Sequence, residues 1–120
     1  MKTPELVPWL QRFFREHLLT HRNLSPTTVA AYRDTFRLLL RYLKKTHAGS
    51  CFSLPLDILT PDIIVRFLEH LERQRGNCIR TRNARLAAIR SFVHYLSDWL
   101  GPELPVTVAR IPGIPFKRHV

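Results

Sequence analysis

The residues in this chain whose types and spacing could do chemistry are cations. Arg33, Arg37, Arg41 and Lys45 recur every fourth position, with Lys44 beside the last and Asp34 as the one nearby acid. A second cluster holds Arg80, Thr81, Arg82, Asn83 and Arg85. Guanidinium groups pair with phosphate through a planar fork, so such clusters point to a phosphate-bearing partner. The sequence offers no acid–base pair, metal cluster or phosphate-binding loop, so catalysis within this chain is not expected. Cys51 and Cys78 have no CxxC partner or neighbouring His cluster. They are expected to be reduced thiols, and neither a metal nor a cofactor is expected.

The whole-chain balance agrees. Nineteen Lys and Arg against nine Asp and Glu give a net charge of +10 and a pI near 10.8. That excess opposes compact folding by self-repulsion, so a polyanionic partner is its natural explanation. Nucleic acid is the first candidate and a membrane surface the second. The 120 residues suit one domain, and 45% hydrophobic with 23% charged residues is globular usage. No apolar run approaches the ~20 residues of a membrane span. The N-terminal MKTPELVPWLQRFFREH is broken by charges where a signal peptide needs an apolar stretch, so secretion is not expected and a cytoplasmic protein is.

Helices must position these cations. Leu6, Leu10, Phe13, Phe14 and Leu18 recur at three and four, predicting a first helix over roughly 4–21. Ser25 as N-cap and Pro26 at N1 begin a second, with Val29, Tyr32, Phe36, Leu39, Leu40 and Leu43 as its apolar stripe and an end near residue 47. After a loop, Thr60-Pro61 repeats the start signal. Ile64, Phe67, Leu68 and Leu71 predict a third helix over roughly 61–75, ended by Gly76. Thr81 is a candidate cap for a fourth over roughly 81–99, lined by Leu86, Ile89, Phe92, Val93, Leu96, Trp99 and Leu100. Ala84, Ala87, Ala88 and Ser91 on its other side would let a second helix approach. Residues 102–120, PELPVTVARIPGIPFKRHV, read as an extended, mobile, Pro-rich linker. The expected fold is all-α, a compact orthogonal array of four or five helices over 1–101.

Charge divides unevenly among these helices. The first sets Arg12 and Arg15 against Glu5 and Glu16, and the third sets Arg66, Arg73 and Arg75 against Asp62, Glu69 and Glu72. The second and fourth carry the excess. Like charges at i,i+4 repel, so the row on the second helix weakens that helix when no anion is present. It is read as a binding face, the alternative being a solvated one. Cations at the start of the fourth helix oppose its dipole unless a phosphate sits there. The alternative for Arg82 and Arg85 is that they lie over the edge of the core. For Arg90, interdomain pairing, core-edge packing and DNA contact are all open.

Two blocks carry a family resemblance. LSPTTVAAYRDTFRLLLRYL (24–43) resembles the first signature of the tyrosine recombinases, or phage integrases, through Leu24, Ser25, Thr28, Tyr32, Asp34 and Phe36. RTRNARLAAIRSFVHYL (80–96) resembles the second, through Thr81, Arg85 to Phe92, Tyr95 and Leu96, with Thr60-Pro61-Asp62 in between. The resemblance covers roughly residues 5–100 and implies an N-terminal core-binding, SAM-like domain that forms half of a clamp on double-stranded DNA. In that family the second and fourth helices face the groove and its phosphates.

The DNA contacts it implies are Ser25, Thr27, Thr28, Arg33, Arg37, Arg41, Lys44, Lys45, Arg80, Thr81, Arg82, Asn83 and Arg85. Other implied partners are the catalytic domain of the same polypeptide and further recombinase protomers. That separate domain supplies the nucleophilic tyrosine, so this chain is expected to be non-catalytic alone, with residues 102–120 leading toward it. His70-Leu71-Glu72-Arg73 has the family's HxxR spacing, but it lies in a charge-balanced helix and reads as coincidental exposed surface. Tyr32, Tyr42 and Tyr95 read as packing residues. The competing interpretation is a helical module whose basic face meets an acidic protein or RNA. A free-standing helix-turn-helix lacks the short turn that motif needs.

Overall fold

The structure, a computed structural model, describes residues 3–21, 24–47, 53–76 and 78–118, with side chains 19–21 left aside. Its regular elements are helical, and the described residues hold no strand beyond a single bridge between Glu5 and Pro55. The chain forms two compact units, Met1–Ile58 and Leu59–Val120.

In the first unit, α1 (Leu6–Arg12) carries Pro8 in its opening turn, where a missing N–H is harmless. From Phe13 to His21 the helix continues in the wider i→i+5 winding, where the sequence predicted one uninterrupted α-helix. Nothing in the sequence marks that change. The second helix, α2 (Pro26–Thr46), starts as predicted: Ser25 Oγ accepts from the Thr28 N–H at 3.2 Å, and Pro26 follows it. Its Val29, Phe36, Leu39 and Leu43 are buried. Phe13, Phe14 and Phe36 meet edge to face, with centroids 5.7–6.1 Å apart. The predicted loop also contributes core: Leu54 and Leu56 are buried, and their segment pairs with the N-terminus through Leu6 N–H to Leu54 O at 2.8 Å and Leu56 N–H to Pro4 O at 2.7 Å.

In the second unit, α3 (Pro61–Arg75) is capped by Thr60 Oγ1, which accepts from Ile63 N–H at 3.1 Å. It ends at Gly76 with φ +60°, a left-handed residue that glycine adopts without a Cβ penalty. The fourth helix, α4 (Ile79–Leu100), begins earlier than predicted. Its N-cap is Cys78, not Thr81, and makes no side-chain capping bond. It buries Leu86, Ala88, Ile89, Phe92, Val93, Tyr95 and Leu96, but of the small residues on its other side only Ala88 is buried: Ala84 is exposed, and Ala87 and Ser91 are half-buried. Trp99, expected in the core, is 55% exposed and rests beside Tyr95 at 6.4 Å. Phe14, Tyr32, Leu40 and Leu100 are only half-buried.

The segment after Gly101 is not extended throughout. It turns through Gly101–Glu103, forms the short α5 (Val106–Ala109) and a turn at Ile111–Gly113, and buries Val108, Ile111 and Ile114. Those three apolar side chains recur every third position, a pattern the prolines obscure in the sequence.

Phe36 and Phe92 are 3% and 0% exposed, one in each unit. Phe36→Ala and Phe92→Ala are each expected to destabilise the chain by ~3–5 kcal/mol in denaturant titration. Near-zero losses at both would contradict the core described here.

Candidate nucleic-acid interface

The first part of the site is the outer side of α2. One side of this helix is fixed inward by Phe36, Leu38, Leu39 and Leu43, which leaves the opposite side to solvent. Arg33, Arg37, Arg41, Lys44 and Lys45 are all exposed. Their row spans about 18 Å at 1.5 Å per residue. Among the described residues none of these five side chains makes an ion pair or hydrogen bond, whereas Arg12 and Arg66 on the balanced helices do. Arg12 pairs with Glu16 at 3.0 Å and Arg66 with Asp62 at 3.1 Å. Arg33 and Arg37 also line a groove of about 370 Å³ with Val7, Leu10, Phe14, Phe36 and Leu40. Ser25 and Thr27 are exposed at the start of α2, and Thr28 Oγ1 meets Ser25 Oγ at 3.0 Å.

The second cation cluster lies in the other compact unit, at the start of α4. Arg80 is exposed and Thr81 half-buried. Arg82 and Arg85 are only 6% and 9% exposed. Arg82 Nε lies 3.3 Å from Glu72 Oε1, off the line of its N–H, so the two form an ion pair without an aligned hydrogen bond. These arginines lie over the core edge, the alternative that the sequence left open for them. The amide of Asn83 is also committed: its Nδ2 donates to Lys117 O and its Oδ1 accepts from Lys117 N–H, both at 2.9 Å. Arg90 holds its guanidinium over the Phe116 ring, 4.8 Å from its centroid, a packing contact within its own unit. Glu72, read as exposed surface, is partly covered and engaged by both Arg82 and Lys117, and Leu71 is buried. Sequence reasoning missed Glu72 and Lys117 because 45 residues separate them and no local pattern links them.

The description that fits residues 10–98 is "Phage integrase, N-terminal SAM-like domain". The chain belongs to this family. Within it, the chain is similar to two Sinorhizobium fredii proteins that carry the name integrase/recombinase. It is 42% identical to y4rD over 94% of this chain and 40% of that protein. It is 38% identical to y4rC over 98% of this chain and 35% of that protein. Tyrosine recombinase XerC of Pelobacter propionicus is 38% identical over 88% of this chain and 35% of its own length. The integrase-family chain thus spans 35–40% of the length of these relatives. No solved structure gives a significant match. Among the described residues no helix is long and apolar enough to cross a membrane, and no group of His, Cys, Asp and Glu could hold a metal ion.

One thiol marks the start of α4. Cys78 is exposed and free, with Sγ 3.5 Å from Thr81 Oγ1; Cys51 lies outside the described residues. The Thr81 hydroxyl, followed by backbone groups of the same turn, holds this thiol below its ordinary pKa. A lowered pKa means more thiolate at a given pH. In a Cys51→Ser background, alkylation of Cys78 should therefore rise with pH through a midpoint below that of an unperturbed thiol, and Thr81→Val should raise the midpoint. A midpoint at or above the ordinary value would contradict this geometry.

Proposed function

We propose that this integrase-family domain is the DNA-binding part of a site-specific tyrosine recombinase, gripping duplex DNA at the recombination site. The observation that carries this reading is the unpaired cation row on α2. Like charges in such a row raise the free energy of the isolated helix, and a row of phosphates removes that repulsion. Arg80 and Thr81, in the opening turn of α4 where the helix dipole favours an anion, suit another phosphate. Arg82, Asn83 and Arg85 are left out of the contact set because their groups are buried or engaged. Strand cleavage would belong to a catalytic domain of the same polypeptide, and other protomers would assemble with it on DNA. The domain itself does no chemistry and needs no cofactor.

The α2 contacts are to phosphate rather than base edges, so they add affinity without sequence preference. Binding to random duplex DNA is expected at ~10⁻⁴–10⁻⁶ M at physiological salt. If all five α2 cations engage, they contribute about −4.5 to the slope of log K against log salt. Arg37→Ala or Arg41→Ala should flatten the slope by roughly 0.9 and weaken all sequences alike. Arg66→Ala, which removes a cation already paired with Asp62, should change much less. Equal losses at Arg66 and Arg37 would show attraction by overall charge alone. Preferential binding to RNA or an acidic protein, with no salt-dependent grip on duplex DNA, would favour the interaction-module reading instead.

A further inference from the structure

The chain after α4 makes contacts that a free tether would not need. Asn83 treats Lys117 as one strand treats another: its amide donates to the Lys117 carbonyl and accepts from the Lys117 N–H, each at 2.9 Å. Both partner atoms are backbone, so the pairing recognises an extended segment whatever the side chain at 117. The Lys117 side chain adds a second tie, Nζ donating to both oxygens of Glu72 at 3.1 and 3.0 Å. Glu72 is held in turn by Arg82 at 3.3 Å, and Arg82 is buried. The neighbouring Phe116 lies under the Arg90 guanidinium at 4.8 Å. Three buried side chains, Val108, Ile111 and Ile114, anchor the approach. Pro112 and Pro115 narrow the conformations that the unfastened segment could sample, which lowers the entropy lost on fastening it.

We propose that Asn83, Glu72 and Arg90 form a dock for the extended segment Phe116–Lys117, and that this dock fixes where and in which direction the chain leaves α3 and α4. Resting on the recombinase reading, Asn83 and Glu72 are positioning residues: they orient the connection to a following domain and do not touch DNA. Asn83 has the stricter role. Its amide donates through one atom and accepts through another, and asparagine is the shortest side chain that carries an amide. Arg82 acts through Glu72, since its buried charge keeps the carboxylate turned toward Lys117.

The test is amide hydrogen exchange at Lys117, measured by NMR on the 120-residue chain, with duplex-DNA affinity measured in parallel. In the unaltered chain the Lys117 amide should be protected. Asn83→Ala should speed its exchange by about tenfold or more while exchange along α3 and α4 stays unchanged. Asn83→Asp keeps the acceptor but loses the donor and should fall between. Lys117→Met should loosen the segment less than Asn83→Ala, because the backbone pairing survives, and Lys117→Arg should restore the unaltered behaviour. These Lys117 variants leave the Arg82–Glu72 pair in place, so they do not risk stranding a buried charge. DNA affinity of Asn83→Ala should stay within about twofold of the unaltered chain, since an uncharged, engaged amide supplies no phosphate contact. Unchanged Lys117 exchange in Asn83→Ala would overturn the dock. So would a loss of DNA affinity with Lys117 protection intact, which would make Asn83 a DNA contact. If the unaltered chain binds no DNA, the recombinase reading fails and the exchange data alone decide the dock.

Discussion

Repulsion among the cations of α2 is the constraint on which the functional account turns. Arg33, Arg37, Arg41 and Lys45 sit one helical turn apart, and no carboxylate among the described residues neutralises them. The helix holds because its opposite face is buried. Phe36, Leu39 and Leu43 are at most 3% exposed, and Ser25 with Pro26 fixes the first turn. Each buried leucine or phenylalanine contributes ~1.5–3 kcal/mol, well above the few tenths by which one i,i+4 repulsion opposes the helix. Core packing therefore keeps the cation row in place without help from any anion.

The start of α4 handles positive charge in the opposite way. Arg82 is drawn into the protein and met by Glu72, which also receives Lys117. Arg90 is spread over an aromatic ring. Only Arg80 at this end remains exposed without an ion pair among the described residues. Two clusters that look alike in composition thus do different work: one presents charge outward, and the other fastens a returning segment of chain.

How much of this was legible in the sequence depends on the range of the interaction. Local signals read well. Thr60-Pro61 and Gly76 bracket α3 at the bounds the structure shows, and Ser25-Pro26 opens α2. The core stripe of α3 follows from periodicity, and that of α2 follows in part, since Tyr32 and Leu40 are half-buried while Leu38, outside the stripe, is buried. Resemblance to two integrase signatures gave the family, which the match over residues 10–98 bears out. Signals failed where the partner is far along the chain. Asn83 and Lys117 are 34 residues apart, and nothing near either announces the other. Arg82 looked like a free cation because Glu72 lies on another helix. Trp99 fits an apolar stripe by spacing but lies near the end of α4, where the stripe runs out into solvent. The every-third-residue burial of Val108, Ile111 and Ile114 was hidden by prolines that suggested an open tether.

The central claim is that the outer side of α2 is the surface that meets DNA. Titrating the isotopically labelled chain with a short duplex and following every amide resonance tests it directly. Progressive shifts should concentrate on residues 25–45 and at the opening of α4 around Arg80, and should fade as salt is raised. Shifts concentrated on α3 around Arg66 and Arg73, or spread evenly over every exposed cation, would contradict it.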